Sequence, residues 1–233
     1  MRKFLGVMTV ALFAVLAVRA EAALLISEVL YNEVSSPADG EWIEIYNTGP
    51  ASIDLSNYKI GDEETMNPPT GENGGMWQFP AGATISAGEV QIVAVGAARF
   101  NTVYGFDPTY EVVDSSAGVL NMTHYLAWSD NTSDVINMAN GNDQALLIDG
   151  TDSLVDAVSW GNTFAFNPGL AATVADGQSY ERINARIDTN SAGDWQLGNL
   201  SSPGTVPIPE PTSATLVGLV VIATGCFKRR RID

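Results

Sequence analysis

The 233-residue chain carries 27 acidic against 11 basic residues, a net charge of −16, with one histidine and one cysteine. Such a balance repels phosphate backbones and argues against direct nucleic-acid binding, while a single histidine and a single cysteine leave no usual zinc site. No Walker, dinucleotide or G-x-S-x-G pattern is present, so no familiar nucleotide or acyl-transfer chemistry is legible.

The chain opens on Arg2 and Lys3, an apolar stretch Phe4–Val18 and the triplet Ala20-Glu21-Ala22. This is the pattern of a secretory signal peptide over residues 1–22, which places the start of a mature chain near Ala23. Between there and Pro209, the 27 acids less Glu21, Glu210 and Asp233 leave 24. They face only Lys59, Arg99, Arg182 and Arg186, a balance of −20. A surface of that sign stays soluble and suits divalent cations better than anions.

Strand signals then follow one another with almost no helical period. "ALLISEVLYNE" (23–33) and "EWIEIYNTG" (41–49) are rich in β-branched and aromatic residues, and "IDLSNYKIGD" (53–62) alternates. "GEVQIVAVG" (88–96) reads as a buried strand, and "AARFNTVYG" (97–105) as one or two helical turns. "DQALLIDG" (143–150) and "DSLVDAVSWG" (152–161) are joined by a turn at Asp149-Gly150, and "GQSYERI" (177–183) is the last expected strand. The acidic stretch "GDEETMNPPTGENGG" (61–75) reads as an exposed loop, residues 162–177 as another, and 197–211 as a linker. The pattern predicts an all-β sandwich domain over 23–204 and a linker over 205–212. Residues 213–233 follow as a hydrophobic segment and basic tail.

That tail has an apolar run, Ala214–Phe227, of 14 residues, which includes Cys226. As a helix it spans about 21 Å, short of the roughly 30 Å of a bilayer's hydrocarbon core. Lys228, Arg229, Arg230 and Arg231 follow it and would hold the cytoplasmic side.

Within the domain, chemistry is sparse. His124 has no partner at a telling spacing and reads as an ordinary loop or strand-edge residue. Glu41 and Glu44 are three apart, so on a strand they point to opposite faces and cannot form a glycosidase pair. "DTNSAGDWQLGN" (188–199) fits calcium-loop positions with Asp188, Asn190 and Gly193, but Ala192 and Asn199 stand where oxygen ligands belong. It reads better as an Asx-rich turn. No cofactor is expected, with weak Ca²⁺ binding at acidic clusters such as Asp62-Glu63-Glu64 as the exception. Sequons stand at Asn121, Asn131 and Asn199, and the five tryptophans read mainly as core.

Taken in order, "LLISEVLYNE", "EWIEIYNTGPASIDLSNYKIGD", "WQFPAGATISAGEVQIVA", "LVDAVSWGN" and "GQSYERI…DWQLGNLSSPG" resemble the lamin tail domain, from about Leu24 to about Gly204. The resemblance implies an immunoglobulin-like β-sandwich in which Glu44 bonds backbone or Ser/Thr groups. The loops 61–75 and 101–136 are long for that family and are expected to offer a binding surface. The tail resembles a PEP-CTERM sorting signal: Pro209, Glu210 and Pro211, a short apolar segment, and the bases Lys228–Arg231. It implies export across the inner membrane of a Gram-negative envelope, processing by an exosortase-type enzyme, and a setting of exopolysaccharide and other envelope proteins. The expected function is that of a non-enzymatic cell-surface or matrix protein with a scaffolding or binding domain. The alternatives are a calcium-dependent carbohydrate-binding module, using loops 61–75 and 101–136, and then a secreted hydrolase.

Overall fold

The computed structural model describes residues 24–34, 38–63, 74–129, 135–162, 165–171 and 173–208. The signal segment, the sorting residues Pro209, Glu210, Pro211 and Lys228–Arg231, and the expected C-terminal helix lie outside them. In chain order the strands are β1 (Leu24–Asn32), β2 (Trp42–Asn47), β3 (Ile53–Asp54), β4 (Lys59–Gly61), β5 (Met76–Gln78), β6 (Thr84–Ile85) and β7 (Val90–Gly96). The helix α1 (Ala97–Tyr104) follows. Then come β8 (Tyr110–Val113), β9 (Leu120–Asn121), β10 (Thr123–His124), β11 (Asp143–Ile148), β12 (Leu154–Trp160), β13 (Gly169–Leu170), β14 (Gln178–Arg182) and β15 (Trp195–Leu200). Among the described residues no helix is long and apolar enough to cross a membrane.

Two sheets face each other. The first has seven strands in the order β15-β14-β1-β2-β7-β8-β9, the second six in the order β10-β5-β4-β11-β12-β13; β3 and β6 form a separate small ribbon. Alternation along the strands sends Ile43 and Ile45, Val93 and Val95, Leu147, and Val158 and Trp160 into one shared core. In β1 the phase slips. Leu24 and Ile26 face the core, then Val29 and Tyr31, because a bulge interrupts the β1–β2 register between Ile26 and Glu28.

Both outer faces are also covered, which is why β1 and β2 are buried along their whole length. Over the first sheet, Phe100 and Tyr104, four apart on α1, meet Trp42 with ring centroids 6.2 and 6.0 Å away. Leu30, Ile92 and Ala94 complete that cluster. Glu111 on β8 holds the start of the helix, accepting from the backbone N–H of Ala97, Ser115 and Ser116 and from the Ser115 hydroxyl. Over the second sheet, Met76, Leu146, Ile148 and Ala157 pack under Tyr125, Trp128 and Phe166.

The sequence motif around "SWGN" has a physical cause. Trp160 stacks on Tyr31 at 4.1 Å and donates its indole N–H to Ala139 O at 2.9 Å, which ties the sheets together. Gly161 then turns with φ of 99°, and a Cβ there would lie 2.4 Å from Gly141 O. Only glycine fits that position.

Three expectations need correction. The strand "GQSYERI" is not the last: β15 follows it and pairs with β14, so residues 197–200 of the expected linker belong to the sheet. Asp62 and Glu63 do not begin a solvated loop but are buried, Asp62 accepting from Gly75 N and Asn137 N. The described part of 101–136 is not an appended loop either. It supplies the second half of α1, β8 and β9 to the first sheet, β10 to the second, and Met122 and Ile136 to the core.

Candidate functional site

The most unusual chemistry is a set of carboxylates turned into the sandwich or under its covers. Glu41 and Glu44 lie on opposite faces of the first sheet. Glu41 points inward at the end of the core and accepts from Met138 N at 2.8 Å. Burial pushes its carboxyl up to about 9, with Asp62, Asp143 and Glu33 adding repulsion. Burial likewise lifts Asp62 well above the usual carboxylate range.

Glu44 points outward, where the β1 bulge turns Ser27 and Glu28 to the same side. Glu44 accepts from Ser27 Oγ at 2.7 Å and from Gly204 N at 2.6 Å, the backbone and Ser partners that the resemblance implied. Beside it, Glu28 accepts from Ser202 N at 2.9 Å and from the hydroxyls of Ser179 and Ser202. Glu181 of β14 accepts from Ser202 Oγ and from Gln196. Burial raises Glu28 to about 7 and Glu44 to about 8, and the carboxylates' mutual repulsion adds to it.

Inside the sandwich, Arg182 of β14 is fully buried. It pairs with Asp156 of β12 at 2.7 Å and with Asp188 at 3.3 Å, donates to Ile26 O and Ile187 O, and lies over the Trp195 ring at 4.7 Å. Asp156 also accepts from Ile26 N. Burial still pushes Asp156 up to about 6, although Arg182 pulls it down. This pair joins the two sheets.

Three cavities among the described residues, of about 480, 90 and 160 Å³, are lined by one carboxylate each: Asp188, Glu33 and Asp194. The largest is a groove with Leu24, Leu25 and Val155 as apolar lining and Thr48, Tyr58 and Arg186 as polar groups. Of the four described lysines and arginines, Lys59, Arg99 and Arg182 are ion-paired with Asp152, Glu33, and Asp156 and Asp188. Arg186 forms no ion pair among the described residues, and it lines this groove. Sequence reasoning missed the groove because its residues come from five separate segments.

His124 sits on the edge strand β10, its ring 5.0 Å from Trp77. The 188–199 stretch closes on itself. Asp188 holds Arg182 and accepts from Asn190 N; Asp194 accepts from Thr189 and Ser191; Ser191 caps the turn through Gly193 N. Its carboxylates are engaged by local donors, which fits the Asx-turn reading. Among the described residues no three His, Cys, Asp or Glu side chains are placed to hold a metal ion.

These features define the class: an all-β, two-sheet sandwich of immunoglobulin-like architecture with buried carboxylates and an acidic composition. The model of the family described as Lamin Tail Domain matches residues 17–162, and the chain belongs to that family. The match ends two residues after β12, and β13, β14 and β15 follow it. No curated protein matches the chain. Among solved structures, a DUF4876 family protein from Bacteroides thetaiotaomicron is similar, with a TM-score of 0.59 and 14% identity. The similarity covers 82% of this chain and 75% of that one, and at that identity it speaks for the fold alone.

Proposed function

We propose that this is an exported, non-enzymatic surface or matrix protein whose lamin-tail sandwich serves as a scaffolding or binding domain, delivered through its C-terminal sorting tail. The observation that carries the reading is the order of signals around the domain. A small-x-small site at Ala20–Ala22 precedes it. Pro209-Glu210-Pro211, a 14-residue apolar run and four consecutive bases follow it. An exosortase-type enzyme is the partner that this tail calls for, with the inner membrane crossed in transit. The carboxylates support a structural rather than catalytic role, since their oxygens are occupied by backbone N–H groups, serines and arginine.

The groove beside Arg186 favours a binding function over pure scaffolding, with envelope polysaccharide as the ligand class. A calcium-dependent mode has less support, because Asp62 and Glu63 are buried and 101–129 is woven into both sheets. Fractionation of cells producing the full chain is expected to place it in the envelope surface or matrix fraction. Cytoplasmic retention of the whole pool overturns the reading.

A further inference from the structure

After β15 the chain does not leave the domain. Ser201 Oγ meets the Tyr104 hydroxyl of α1 at 2.8 Å. Residues 202–205 then form a turn, closed by Thr205 N donating to Ser202 O at 3.2 Å. Pro203 and Gly204 occupy its centre, and Gly204 has φ of 85°, the arrangement of a type II turn. The turn lies across β14, β1 and β2: Ser202 reaches Glu181 and Glu28, and Gly204 N–H reaches Glu44. Pro207 O finally accepts from Ala185 N at 2.9 Å.

We propose that the Ser202–Thr205 turn is a releasable latch by which the domain grips its own C-terminal tail, closed over the carboxyls of Glu28 and Glu44 and opened when both are charged. The geometry gives the reason. Three carboxyls from adjacent strands converge on one face, and neither Glu28 nor Glu44 forms an ion pair with any described cation. The sheet lies below them and the turn above, so lifting the turn is the direct way to admit water to the charges. The titratable groups facing the latch are Glu28 on β1, Glu44 on β2, Glu181 on β14 and Tyr104 on α1, with Glu33 acting on Tyr104 from the end of β1. The turn's own donors, the Ser202 N–H and hydroxyl and the Gly204 N–H, favour the charged forms, but burial outweighs them and raises Glu28 and Glu44 into the neutral range, so both ionise between mildly acidic and mildly alkaline pH.

Opening frees residues 201–208, which as extended chain lengthen the tether before Pro209 by roughly 26–29 Å. That consequence rests on the sorting reading of the tail; the latch itself does not. A closed latch holds residues 201–208 on the domain, and an open one adds them to the tether that precedes the sorting residues in the chain.

Hydrogen–deuterium exchange of the full-length chain in detergent, corrected for intrinsic exchange, reads the latch directly at the Ser202 and Gly204 amides. Their protection is expected to fall tenfold or more between pH 5.5 and 8.5, at lower pH than that of β11 and β12. Glu44→Gln, which keeps an acceptor for Gly204 N–H but cannot ionise, is expected to flatten the latch profile, and Glu28→Gln to do so in the same direction. Latch and core amides losing protection in step, or variants with the wild-type profile, would overturn the proposal. Neither result bears on whether the tail is a sorting signal, which the mass of the exported chain decides.

Discussion

Raising the pH from 5 to 9 is expected to lower the thermal midpoint of the domain by roughly 10 °C or more, at constant ionic strength. Glu28, Glu44 and Glu41 sit at about 7, 8 and 9 in the folded chain against an ordinary 4.5, in each case chiefly through burial. Between 4.5 and those values the folded state binds more protons than the unfolded one, so stability falls as pH rises. The contribution is fully present below about 4.5 and is lost as pH passes through 7, 8 and 9. A carboxyl held at about 8 rather than 4.5 withdraws on the order of 5 kcal/mol once it ionises, a large part of the roughly 5–15 kcal/mol that stabilises a domain. In a domain of this size each kcal/mol moves the midpoint by about 2–4 °C. Asp54 and Asp149, held low by hydrogen bonds from Ser56 and Thr151, are exposed and titrate outside this window. Calorimetry across the range checks the slope, and Glu44→Gln is expected to make it shallower. A midpoint that rises steadily to pH 9 contradicts the placement of these groups.

Replacing Arg182 by alanine is expected to cost about 3–5 kcal/mol, the usual penalty for leaving a buried charge without its partner. Asp156 and Arg182 are each almost wholly buried, and the guanidinium also satisfies Ile26 O and Ile187 O and covers the Trp195 ring. Lysine does not rescue the site, because a single ammonium cannot reproduce a planar fork that bonds Asp156, Asp188 and two carbonyls at once. Urea denaturation of Arg182→Ala, Arg182→Lys and the Asp156→Asn/Arg182→Ala double variant separates the effects. The double variant is expected to lose less than the sum of the single ones. A loss under 1 kcal/mol for Arg182→Ala would show that the pair does not join the sheets.

The strands that build the sandwich were legible where apolar and β-branched residues cluster, whereas the alternating "IDLSNYKIGD" divides into β3 and β4, which lie in different sheets. "EWIEIYNTG", "GEVQIVAVG" and "DQALLIDG" became β2, β7 and β11, and "AARFNTVYG" became α1. The opposite-face reading of Glu41 and Glu44 follows from period two alone, and the structure places one inside and one outside. β15 was hidden because "WQLGNL" contains no β-branched residue; Trp195 packing beneath Arg182 and pairing with β14 make it a strand. The two-residue strands β9, β10 and β13 are too short to show any period. Above all, acidic side chains read as solvent-facing in one dimension. Nothing local in "ISEVL" or "YKIGDE" says that both faces of the first sheet are covered, or that Asp62 staples two loops. Arg186 was visible as one of four bases, but its lack of an acidic partner emerged only from the ion pairs of the other three.

Intact-mass measurement of the chain recovered from the envelope or medium tests the central claim most directly. An N-terminus near Ala23 with a C-terminus near Pro209–Thr212 is the result expected of an exported domain processed at its sorting tail. A mass that still includes the final "KRRRID" contradicts that account.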